Sequence, residues 1–195
     1  MQFLAPGIIS MSILFTAIFS GIEIIWDRQF GFLKETLVAP VSRLNIMIGR
    51  TLGGATVATL QGIIVFFVAS LVGFRPDITS LPLALLFMIL IAILFTALGT
   101  AIASLLTDMQ GFQLIMNFLV MPLFFLSGAL FPLQGLPEAL GIVASVNPLA
   151  YGVDGLRGTL ANGAHFGLFT DLAILGAVAA LFLVVGSYLF SKIEI

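Results

Sequence analysis

Cysteine is absent from the 195 residues, and Lys, Arg, Asp and Glu together make up only 8% of the chain. The first absence excludes disulfides, thiol catalysis and cysteine-ligated metals together. The second excludes an ordinary soluble domain, which carries roughly 25% charged residues. Too few polar side chains remain to cover a water-facing surface. A net charge of −2 leaves no basic face for nucleic acid. The single histidine, His165, does not make a metal site, which needs several ligands; its loop position predicts a solvated or capping role. No nucleophile–base pair, HExxH motif or phosphate-cradling glycine loop is present. Nor is there a series of intramembrane carboxylates of the kind proton-coupled carriers use. The first residues lack the basic region of a signal peptide, and Glu23, Asp27 and Arg28 follow the apolar run where a small-residue cleavage site would be expected.

What is present is hydrophobic: 61% of residues, with a mean hydropathy of +1.24. The apolar residues fall in continuous runs, whereas barrel strands would alternate apolar and polar positions. About 20 such residues cross a bilayer as a helix, and helices satisfy their own backbone there. These runs predict an all-α integral membrane protein with about five transmembrane helices, near 3–26, 46–73, 81–106, 112–131 and 169–190. Arg75, Pro76 and Asp77 mark a turn between the second and third spans, and Asp108 and Gln110 mark the link between the third and fourth. With no repeat or long linker, 1–195 reads as a single transmembrane domain.

Basic residues orient the spans. Arg28, Lys34, Arg43, Arg50 and Lys192 fall on one side, and only Arg75 and Arg157 on the other. The loop between the first two spans and the C-terminus are therefore expected in the cytoplasm of a multi-pass plasma-membrane protein.

Two segments between spans carry further information. In Asp27 to Arg43, the residues Phe30, Leu33, Leu37 and Val41 recur at helical spacing and form one apolar stripe, with Lys34 and Glu35 as its charges. Pro40 should end or kink the helix near Ala39. Such a helix either rests in the membrane interface or docks a cytosolic partner. The second segment, Ser127 to Gly158, holds Pro132, Pro137 and Pro148. Its apolar stretch Leu136 to Val146 is too short to cross and predicts a re-entrant or interfacial helix. A second short helix is expected from about Pro148 to Leu160, capped by Asn147 with Pro148 in its first turn. Pro122 should bend the fourth span. Gly49 with Gly53, and Gly99 with Ala103, have the four-residue spacing that allows close helix approach, with packing inside the chain expected at both and dimer contact as the alternative. Glu23 is expected at the interface, with Arg28 or Arg50 as its partner, and Asp171 as a charge at a helix N-terminus.

The segments FGFLKETLVAPVSRLNIMIGR (30–50) and PLFFLSGALFPLQGLPEALGIVASVNPLAYGVDGLRG (122–158) resemble those of type-2 ATP-binding-cassette exporter permeases, closest to the drug-resistance and nodulation-factor branch. The resemblance covers nearly the whole chain. It implies a permease without its own ATPase site, exporting a drug, lipid or lipid-linked glycan. The implied partners are two ATP-binding subunits, which would hold ATP and Mg, a second permease copy or sister permease, and membrane lipid. A coupling helix is implied at about 27–39, involving Arg28, Phe30, Leu33, Lys34, Glu35, Leu37, Pro40 and Arg43. An outer gate segment is implied through Pro132, Pro137, Asn147, Pro148, Tyr151, Asp154 and Arg157. The family has six spans, so this chain is expected to begin at the second. A non-transporting membrane scaffold, or a truncated permease, is the alternative reading.

Overall fold

The computed structural model describes residues 1–38, 40–132 and 138–192. Every long element among them is a helix. Helices α1 (Leu4–Phe19) and α2 (Ile22–Gln29) make up the first apolar crossing, broken at Ser20–Gly21. After α3 (Phe32–Val38) come α4 (Arg43–Leu71), a short 3-10 turn (Ile78–Ser80) running into α5 (Leu81–Leu105), and α6 (Met109–Phe125). The short helices α7 (Glu138–Val146) and α8 (Pro148–Ala161) precede α9 (Leu168–Ser191).

Among the described residues, four helical stretches are of the length and apolarity of a full membrane crossing: Leu4–Gln29, Arg43–Leu71, Ile78–Leu105 and Leu168–Ser191. The protein is an all-α integral membrane protein. The fourth expected span, 112–131, runs between the same two ends as the others but is shorter than expected. Helix α6 stops at Phe125, three residues past Pro122, and its 17 residues reach about 25 Å at the helical rise of 1.5 Å per residue. Chain reversal at Gly128, with φ of +77°, takes up the rest of that run.

The molecule is built around α5. Its buried positions include Phe87, Ile91, Phe95, Gly99 and Ala103, and it packs against α1, α4, α8 and α9. Two glycines of the packed helices sit at close approaches. A Cβ on Gly99 would overlap the Ile18 carbonyl of α1, and a Cβ on Gly155 of α8 would overlap the Phe87 ring. Gly49 and Gly53 of α4 behave differently from the sequence expectation: a Cβ on either would meet nothing within 4 Å. The intramolecular close packing in α4 lies instead at Gly54, against Ser20 and Thr96. Large apolar side chains such as Phe67, Leu71, Phe118 and Val184 point outward, as expected when the surrounding solvent is hydrocarbon.

Hydrogen bonds define two ends. At one, Gln2 donates to the Arg75 carbonyl, the Asp77 amide donates to the Leu160 carbonyl, and Arg157 donates to Gly128. The N-terminus of α1, the α4–α5 turn and α8 therefore meet there. Within that turn the Thr79 hydroxyl and amide both donate to Asp77 and hold its carboxyl below the usual carboxylate range. At the other end, Arg43 donates to the Ser191 carbonyl and Arg28 to the carbonyls of Ser104 and Leu106. That gathers α2, α3, the start of α4, the α5–α6 turn and the end of α9.

Candidate functional site

The segment expected to form one docking helix over 27–39 is two helices. Helix α2 closes at Phe30, and Gly31 takes a φ of +83°, which a residue with a Cβ adopts only at a cost. Helix α3 then restarts at Phe32 in a new register. Two consequences correct the expected stripe. Leu33 is 3% exposed and belongs to the core, so it presents no face to a partner. The outward face instead carries Phe32, Glu35 and Val38, three residues apart, with Phe30 beside them at 72% exposure. Pro40 is exposed in the turn before α4, where the Ser42 hydroxyl caps the helix by accepting from the Asn45 amide at 3.2 Å. Ala39 and the side chains of Lys34 and Leu37 lie outside the described residues.

Around α3 the polar contacts are specific. Arg28 sends Nη1 to the Leu106 carbonyl at 2.8 Å and Nη2 to the Ser104 carbonyl at 3.2 Å. Gln29 donates to Thr107 at 3.3 Å, and the Trp26 indole N–H meets the Met109 sulfur at 2.9 Å. Arg50 pairs with Asp27, a partner different from the expected Glu23, which is exposed. Arg43, at the first turn of α4, holds the end of α9 through Ser191.

At the opposite end, Asn147 caps α8 as expected, accepting from the Leu149 amide at 3.0 Å, and Pro148 occupies the first turn. The Asn147 side-chain amide also donates to the Leu123 carbonyl of α6 at 2.6 Å. The Tyr151 hydroxyl donates to the Ser145 carbonyl of α7 at 2.7 Å. Asp154, 2% exposed, accepts the backbone amides of His165 and Phe166 at 2.8–2.9 Å and so holds the loop into α9. The guanidinium of Arg157 donates to Gly128 at 2.8 Å and stacks 4.1 Å from the centre of the Phe3 ring. These four residues join α8 to α6, α7, α1 and α9. Pro132 is exposed in the turn after α6, and Pro137 lies outside the described residues.

Pro122 has no amide proton to offer the Phe118 carbonyl one turn back. Both residues line an apolar cavity of about 420 Å³ between α6 and α7, together with Leu119, Leu123, Ile142 and Val146.

Comparison with known proteins now decides the family. Residues 1–161 match the model of the ABC-2 type transporter family. The chain belongs to that family. A putative transport permease ycf38 of Porphyra purpurea is 30% identical over 98% of this chain and 70% of its own length. Nodulation protein J of Rhizobium leguminosarum bv. viciae is 30% identical over 81% of this chain and 61% of its own length. The inner membrane transport permease YadH of Escherichia coli K12 is 29% identical, over 80% and 61% respectively. The chain thus spans between 54% and 70% of the length of curated relatives it matches. In this ABC-2 chain the match runs from α1 to the end of α8, and so covers both ends described above.

Sequence reasoning missed three features of the α3 end: Phe32, the Asp27–Arg50 pair, and the bonds from α2 to the α5–α6 turn. Gly31 after Phe30 is a helix-stop signal that would have moved the register of α3 by itself. The side-chain pairings depend on which helices are neighbours, and no spacing along the chain encodes that.

Proposed function

We propose that this chain is the membrane-spanning subunit of an ABC exporter, driven by separate ATP-binding subunits that bind ATP and Mg. Its cargo is hydrophobic or amphiphilic. The observation that carries the reading is the family match over 1–161, together with an exposed apolar face on α3 at the end richest in positive charge. Five basic residues, Arg28, Lys34, Arg43, Arg50 and Lys192, belong to that end, and Arg75 and Arg157 to the other. The bias of Lys and Arg toward the cytoplasm supports placing α3 and the C-terminus there. Phe30, Phe32 and Val38 then face water, an arrangement that favours a protein partner over a free surface. An aromatic anchor seated in a cleft of the ATP-binding subunit supplies most of such a contact, with Glu35 at its rim.

The cargo class is supported by the apolar cavity between α6 and α7 and by the absence of charged residues from its lining. A second permease copy or a sister subunit completes the translocation path in this reading.

The docking reading is tested by Phe32→Asp. A charge buried without a partner costs several kcal/mol, on the order of 3, enough to reduce co-purification of the ATP-binding subunit more than tenfold while the chain still inserts. Retention of the ATP-binding subunit at the wild-type level would overturn the assignment of α3.

A further inference from the structure

The last four residues of α2 each reach away from their own helix, and three of them reach the same place. Trp26, Arg28 and Gln29 bond to residues between Ser104 and Met109, where α5 ends and α6 begins. Asp27 alone points to α4, through Arg50. The last carbonyls of a helix have no acceptor role within it, and a cation placed there meets the negative end of the helix dipole. Arg28 supplies both: a planar fork of donors for two carbonyls and a charge at the α5 C-terminus. The guanidinium is partly buried, so water competes for it less than at an open surface. Within the turn itself the Gly111 amide donates to the Asp108 carboxylate, the cap of α6.

Helix α2 also touches α5 at its other end. Gly21 lies so close to Gly99 that a Cβ would fall 2.5 Å from the Gly99 carbonyl oxygen. With a backbone contact at one end and the Arg28 fork at the other, α2 and the final turns of α5 form one stiff unit. Gly31, in its left-handed conformation, joins that unit to α3.

We propose that Arg28 is a positioning residue that ties α2 to the α5–α6 turn, so that displacement of α3 is passed to α6 and its cavity as well as to α4. The source of that displacement, an ATP-binding subunit, rests on the function proposed above. Arg28 touches neither nucleotide nor cargo; it acts through the carbonyls of Ser104 and Leu106.

The absence of native cysteine makes paired spin labels unambiguous. Two pairs are placed at exposed positions in the complex with its ATP-binding subunit: Trp26 with Gln110 across the joint, and Phe125 with Phe169 to follow the far end of α6. Because a label at Trp26 removes the indole bond, every variant is compared with the chain labelled at that pair. Without nucleotide, Arg28→Ala is expected to broaden the distance distribution across the joint, and Arg28→Lys to broaden it less. With ATP and vanadate, the shift between Phe125 and Phe169 is expected to be lost in Arg28→Ala, reduced in Arg28→Lys, and kept in Arg50→Gln, which cuts only the tie to α4. Co-purification of the ATP-binding subunit is expected to be unchanged in all three. If Arg28→Ala fails to insert, Arg28→Lys decides. A narrow joint and a full shift in every Arg28 variant that inserts would overturn the proposal. A missing shift in the unsubstituted chain would overturn it as well, and would place the fault in the ATP-driven reading and not in the joint.

Discussion

Asp154 and Asp171 are both buried close to the α8–α9 connection, yet they are held in different ways. Asp154 accepts two backbone amides, so its removal leaves those donors without a partner in a buried loop. Asp171 sits in the first turn of α9, as its sequence position suggested, but it is 0% exposed and neither oxygen has a hydrogen-bond partner among the described residues. Unmet buried donors cost about 1–3 kcal/mol each, so Asp154→Ala is expected to destabilise the chain by about 3 kcal/mol. An ionisable group buried without a partner is costly, so Asp171→Asn, which removes it, is expected to leave stability unchanged or slightly raised. Unfolding titrations in SDS measure both; equal losses in the two variants would contradict this account. The sequence reading put Asp171 at the right helix end, because capping is local. Its burial was not legible, because it depends on α8 packing across α9.

At the scale of elements, the crossings were legible wherever a long apolar run met a turn signal. Helices α4, α5 and α9 start and stop within about three residues of expectation, at Ser42, at the Arg75–Asp77 turn and after Gly167. Helix α8 was legible from Asn147 and Pro148 alone. Two elements were not. The first span breaks at Ser20–Gly21, and nothing in its hydropathy marks the break; Gly21 packs there against the Gly99 backbone. The stripe of Phe30, Leu33, Leu37 and Val41 runs through Gly31, where two helical registers meet, and Leu33 therefore packs inward. Small-residue spacing was likewise ambiguous, since Gly49–Gly53 and Gly99–Ala103 look alike in sequence and only the second pair is packed. Gly99→Val is therefore expected to cost about 3 kcal/mol through overlap with the α1 backbone. Gly49→Val, facing open space, is expected to change stability little. The same SDS titrations distinguish them, and a Gly49→Val loss as large as that of Gly99→Val would contradict the packing assignment.

For the whole molecule, the two ends have separate tasks. At one end α8 ties together α1, α6, α7 and the loop into α9 through Asn147, Tyr151, Asp154 and Arg157. At the other, α2 and α3 meet the α5–α6 turn and the end of α9. If the α3 end is cytoplasmic, cysteines placed at Glu35 and Ser145 should react with a membrane-impermeant maleimide from opposite sides of sealed vesicles; reaction of both from one side would contradict that orientation.

In the proposed function α3 is the surface that meets an ATP-binding subunit. A photo-activatable cross-linker on a single cysteine, placed in turn at Glu35 and at Ser145 in native membranes, tests this directly. The expected result is a covalent adduct with an ATP-binding subunit from Glu35 and none from Ser145. No adduct from Glu35, or an adduct from Ser145 at the α7 end, would contradict it.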